Sequence, residues 1–141
     1  MNSLFTKMLS LLTVIVLSMN VAYSDTIDKL YEDGLNAFNN KEYGKSIVIL
    51  KSAMFQDPKH LSGRILLGRA FFLSHNFDEA EHQFQQAITD GADKGQIFIP
   101  LGQTLLLQGK YDDLLKTISE GEVHPDDEAE ILALRARSYL E

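Results

Sequence analysis

Cysteine is absent from this 141-residue chain, tryptophan is absent too, and proline occurs only three times. Without cysteine there is no disulfide, no thiolate nucleophile, no iron–sulfur cluster and no Cys-based zinc site. Positive charge is scarce: 13 Lys and Arg stand against 20 Asp and Glu, for a formal net charge of −7. The basic residues are scattered rather than clustered, which argues against nucleic acid as a partner. The chain also lacks the roughly 20 consecutive apolar residues that a spanning helix needs. Its length suits one small domain or a short repeat array, not two domains with separate cores.

What the chain does have begins with an address. Lys7 precedes Met8 to Met19, an apolar run broken only by Ser and Thr. Ala22 and Ser24 then stand as small residues three and one places before Asp25. A charged start, a short apolar run and a small-residue site together make a secretory signal peptide. Residues 1–24 are therefore expected to direct export and to be cleaved after Ser24, leaving 25–141 in the periplasm or associated with the outer envelope. Retention of the segment as an N-terminal anchor is the alternative.

The remainder repeats every 34 residues. With Ile27 at position 1, later units begin at Leu61, Gly95 and Ala129. Position 8 is then Gly34, Gly68, Gly102 and Ala136, always small; position 17 is Tyr43, Phe77 and Tyr111, always aromatic. Position 24 is Leu50, Phe84 and Ile118, and position 27 is Ala53, Ala87 and Gly121. No gap is needed to hold this phase. Within a unit, apolar residues recur at three- and four-residue spacings, so each half forms an amphipathic helix. The spacing predicts helix A of the second unit over about 62–74 and helix B over about 77–89. Small residues at positions 8, 20 and 27 let the two helices approach closely. Polar turns separate them, and Gly109 suits the left-handed backbone that ends a helix. Asp57-Pro58 closes the first unit, because proline disfavours helical geometry in the residue before it.

These residues resemble the tetratricopeptide repeat (TPR), with Leu67-Gly68 and Leu101-Gly102 at its characteristic 7–8 pair. Position 4 departs from the pattern, reading Leu30, Arg64, Phe98 and Leu132 and never Trp. The resemblance implies an all-α, right-handed α-solenoid of about three and a half repeats: 27–60, 61–94, 95–128 and the half unit 129–141. Leu66 to Arg69, Phe77 to Glu81, Asp90 to Asp93, Leu101 to Gln103 and Gln108 to Tyr111 are similar to the TPR proteins of the PEP-CTERM exosortase system (the PrsT group). That similarity implies an envelope scaffold linked to exopolysaccharide production or protein sorting. A pilus or outer-membrane assembly factor, or a glycan-binding accessory to a polymerising enzyme, are the alternative roles.

By the same resemblance, positions 2, 5, 9, 12 and 13 of the A helices line a concave groove. The candidate lining is Tyr31, Leu35, Phe38, Ile65, Arg69, Phe72, Leu73, Ile99, Gln103, Leu106 and Leu107. Such a strip suits an extended or helical protein segment with apolar anchors. Tyr31, Leu35, Ile65 and Arg69 do not supply the Lys/Asn clamp with which some TPRs hold acidic chaperone tails. Leu132, Ala136, Tyr139 and Leu140 would expose an apolar face at the last helix, suited to self-association through 129–141.

Catalysis finds no support. His60, His75, His82 and His124 have no paired helical spacing, so no metal is expected. Asp112-Asp113 and Asp126-Asp127-Glu128 are placed to open helices, where acids favour the helix dipole. No phosphate loop or nucleophile elbow is present, and no cofactor is expected.

Overall fold

The 34-residue period becomes a stack of paired helices. The computed structural model describes residues 26–119 and 128–140. The segment expected to be a signal peptide and the Asp126-Asp127 and His124 positions lie outside the described residues. The helices are α1 (26–39), α2 (Tyr43–Gln56), α3 (Leu61–Leu73), α4 (Phe77–Thr89), α5 (Phe98–Leu107), α6 (Tyr111–Ser119) and α7 (Glu128–Ser138). A 3-10 turn, Lys94–Gln96, precedes α5, and there is no strand among the described residues. The odd-numbered helices are the A helices of successive units. Helix B of the second unit has its predicted bounds, while helix A starts and stops one residue earlier than its spacing suggests.

Close approach within each pair rests on position 8. A Cβ placed on Gly34 would lie 2.7 Å from Leu50 Cδ2, and one on Gly68 would lie 2.7 Å from Phe84 Cε1. The glycine of helix A thus receives the position-24 side chain of helix B, and any methyl there would displace it. Leu50 and Phe84 are fully buried as a result, each contributing roughly 1.5–3 kcal/mol by leaving water. Ala53, Ala80 and Ala87 are also fully buried. At position 20 of the first unit Ser46 replaces alanine, and its hydroxyl donates to the Gly34 carbonyl at 2.9 Å, so the polar atom is satisfied. Neighbouring units join through the same core: Gly102 meets Leu134 Cδ1 of α7 at 3.1 Å for an added Cβ.

One backbone device turns each A helix into its B helix. At position 15 the chain is left-handed in all three units: Lys41 (φ 62°), His75 (φ 61°) and Gly109 (φ 71°). The next amide then reaches back five residues, Glu42 N to Ala37 O, Asn76 N to Phe71 O and Lys110 N to Leu105 O, each at 2.9 Å. These bonds satisfy carbonyls that the helix end leaves free. An aromatic ring across the turn completes it: Phe38 lies 5.6 Å from Tyr43, and Phe72 lies 5.8 Å from Phe77. Between units, Asp57 takes an extended conformation (φ −125°, ψ 93°) before Pro58, whereas Gly91 (φ 93°) makes the second junction.

Candidate peptide-binding surface

The A helices bring their positions 5, 9, 12 and 13 onto one side of the stack. Tyr31, Leu35, Ile65 and Ile99 are half-buried, each resting on the core with one side. The Tyr31 ring lies 5.3 Å from His60, whose Nδ1 accepts from Gly63 N at 3.0 Å and caps α3. Phe38, Phe72 and Leu106 are half-buried as well, and the two phenylalanines already serve as turn wedges against Tyr43 and Phe77. Leu73 and Leu107 are the open ones, at 40% and 54% exposure in the same slot of successive units.

A cavity of about 420 Å³ opens between α3, α5 and α7, lined by Arg69, Asp93, Gly95, Gln96, Ile99, Pro100 and Glu130. It brings together two of the predicted residues, Arg69 and Ile99, from different A helices. Gln103 faces the next A helix, donating through Nε2 to Glu130 Oε1 at 2.6 Å. Asp93 Oδ1 accepts from Gly95 N at 3.0 Å. Both acids are thus engaged, while the exposed Arg69 makes no ion pair among the described residues. Gln96 and Glu130 were legible in principle, because both fall at repeat position 2; Asp93 and Pro100 carry no such periodic signal.

A smaller cavity of about 180 Å³, lined by Gln85, Ile88, Lys94, Phe98, Leu101 and Thr117, lies between α4, α5 and α6. Neither cavity gathers a nucleophile with a base. No group of three or more His, Asp or Glu side chains converges to hold a metal ion among the described residues. His75 sits in a turn with its ring 5.8 Å from Phe77, and His82 is exposed on α4. No helix among the described residues is long and apolar enough to cross a membrane.

One side chain that the repeat pattern marked only as a departure has a structural role. Arg64, at position 4, places Nε 3.2 Å from Asp90 Oδ2. It also donates to Gln83 Oε1 at 3.2 Å and to the Pro58 carbonyl. Asp90 is in turn held by Gln86 Nε2 at 3.0 Å.

No protein-family model and no curated protein sequence matches the chain. Solved structures do resemble it. The TPR2B domain of yeast Sti1 in its pHsp70 complex superposes with a TM-score of 0.70 at 14% identity, covering 82% of this chain and 97% of that one. The fold is a TPR solenoid. The CopN–Scc3 complex contains a chain similar to this TPR solenoid at a TM-score of 0.71 and 22% identity, with 79% of this chain and 70% of that one covered. YrrB, described as a TPR protein with an unusual peptide-binding site, aligns at a TM-score of 0.61 and 16% identity over 70% of this chain and 55% of that one.

Proposed function

We propose that this TPR solenoid is a non-catalytic scaffold that holds a segment of another protein along its A helices. The observation that carries the reading is the pair Leu73 and Leu107, exposed one repeat apart on the two A helices that also line a cavity whose one cation, Arg69, has no ion-pair partner among the described residues. Aligned exposed apolar side chains mark interaction sites, and anchors spaced along a groove suit an extended or helical segment. Support also comes from solved TPR domains of the same fold that are described with a bound pHsp70 or with a peptide-binding site.

The test uses a peptide selected for binding from a display library. Replacing both Leu73 and Leu107 by Lys should weaken its capture at least tenfold, about 1.4 kcal/mol, with the fold retained, because each side chain is already about half in water and a cation suits the helix C-terminus. Unchanged affinity in the folded double variant would sink the reading. Phe38 and Phe72 make poor probes, since truncating them also removes a turn wedge.

The setting we propose is the cell envelope, with a role in exopolysaccharide production or PEP-CTERM protein sorting. It is supported by the signal-like composition of residues 1–24 and by the similarity of the second and third units to that group. Crosslinking and affinity capture from the envelope fraction should recover export or sorting components, and mass spectrometry should find a chain beginning at Asp25. An intact N-terminus on cytoplasmic material would overturn the placement.

A further inference from the structure

Helix α2 shows water a face unlike those of the later B helices. Val48 and Phe55 stand seven residues apart on it, close to two turns, so both lie on one line of the helix about 10 Å apart along its axis. That line is opposite Ser46, Leu50 and Ala53, the buried residues that dock α2 on its neighbours. Val48 is 66% exposed and Phe55 88%, the most exposed large apolar side chain among the described residues. Lys51 comes three residues after Val48 and four before Phe55, and Lys45 flanks the line three residues before Val48. Lys41, in the turn before α2, and Lys59, in the loop after it, are exposed as well.

The repeat supplies its own control. One period later the same places hold His75, Glu79, His82, Gln85, Thr89 and Asp93. No lysine is kept, two of the four become acids, and both apolar residues become polar. From 41 to 59 the chain carries four lysines against two acids, Glu42 and Asp57; from 75 to 93 it carries five acids and no Lys or Arg. Glu42 pairs with Lys45 at 2.9 Å, while Lys41 and Lys59 form no ion pair among the described residues. An apolar centre with a basic border, in a chain of net charge −7, selects an anionic partner. Neither cavity reaches α2, and the phenyl ring stands proud of the helix. A protein partner would need a preformed hollow for that ring. A lipid headgroup layer yields to it and presents many negative charges at once.

We propose that the outer face of α2 is a docking site for an anionic lipid surface. Phe55 and Val48 enter the boundary between headgroups and acyl chains, and Lys41, Lys45, Lys51 and Lys59 lie among the phosphates. Each lysine close to such a surface strengthens attachment about fivefold, and salt weakens the attraction by screening it. Asp78 and Glu79, exposed on α4, are repelled by the same charges. The array therefore attaches by its first unit, through residues that the A-helix surface does not use.

The chain has no tryptophan, so Phe55→Trp reports on that one place, whatever other part of the chain meets lipid. On vesicles of equal parts phosphatidylglycerol and phosphatidylcholine, its emission should shift to the blue and its quenching by acrylamide should fall. Phosphatidylcholine vesicles should leave both unchanged, and Thr89→Trp, at the matching place on α4, should respond to neither. Adding K45E/K51E to Phe55→Trp should weaken binding at least tenfold. K29E/K94E, with the same net charge but on α1 and the 3-10 turn, should weaken it far less. All these side chains are exposed, and circular dichroism checks that each variant stays folded. Emission of Phe55→Trp that stays water-like on phosphatidylglycerol overturns the proposal. So does an equal shift on phosphatidylcholine alone or in Thr89→Trp, or equal weakening by the two double variants. A shift with poly-glutamate and none with vesicles assigns the face to an acidic protein segment and likewise overturns it.

Discussion

In the second unit helix A begins at once: His60 caps Gly63 N, and α3 runs thirteen residues from Leu61. In the third unit Asp93 caps Gly95 N, a 3-10 turn follows, and α5 starts only at Phe98, the fourth position of the frame, with ten residues. The position-4 side chains differ as much. Arg64 works through Asp90, Gln83 and the Pro58 carbonyl, while Phe98 is a buried ring that lines the smaller cavity with Ile88 and Leu101. Yet both units keep position 8 tight, and both end helix A with the same left-handed turn. The inter-helix contacts hold the 34-residue frame, and the way into it is free to vary. In a stacked array this follows from stability residing in neighbour contacts rather than in any one segment.

Breaking the position-4 side chains should separate the two solutions. Phe98→Ala removes a buried ring and should cost about 3 kcal/mol. Arg64→Ala leaves Asp90 and Gln83 without their cation but near water, and should cost about 2 kcal/mol. Urea midpoints at unchanged m give both values. A larger loss for Arg64 would mean that the polar network, not the apolar plug, is the stronger fastening.

The turns sharpen the comparison with a smaller effect. Lys41→Gly and His75→Gly each relieve a left-handed L-residue but add unfolded-state freedom, for a net gain of about 0.5 kcal/mol. Gly109→Ala should lose about 1 kcal/mol at the same position. Thermal melts that show no opposite signs would refute a shared turn requirement.

The smallest effect is a pH dependence. Lys110 Nζ donates to Glu81 Oε2 at 2.6 Å, and that bond raises the lysine above its ordinary value of 10.5. A lysine raised on folding stabilises below its unfolded pKa and loses that contribution as pH climbs through the folded one. The Tm difference between the native chain and Lys110→Gln should therefore shrink above about pH 10.5. A constant difference to pH 12 would show that the charge is not what matters.

Much of this was legible in the residues. The close approach of helix B to Gly34 and Gly68 follows from the ungapped period, whereas Gly102 meets Leu134 of the next unit instead; the left-handed turn at Gly109 follows from the residue type. The same turn at Lys41 and His75 was not legible, because neither residue type announces positive φ. The late start of α5 also escaped, since periodicity reports which face is apolar and not whether the first turn is tightened. The candidate surface was readable as a set of repeat positions. Its division into open leucines at 73 and 107 and wedged rings at 38 and 72 depends on the packing across each turn. Arg64 stood out only as a departure, because Asp90 and Gln83 reach it through space and not through spacing.

The Lys110–Glu81 bond has a companion, Gln108 Nε2 to Asp78 Oδ1 at 3.3 Å. Both run from the turn of the third unit to helix B of the second, and the equivalent places one repeat earlier are Gly44 and Ile47. This pair of bonds therefore stitches the second and third units along one border and has no counterpart at the same places between the first two. The two joints therefore differ in kind: the second carries the Lys110–Glu81 ion pair, while across the first Lys51 Nζ rests 5.2 Å from the Phe71 ring. Added salt, by screening the exposed part of the stitch, would loosen the second joint more than the first.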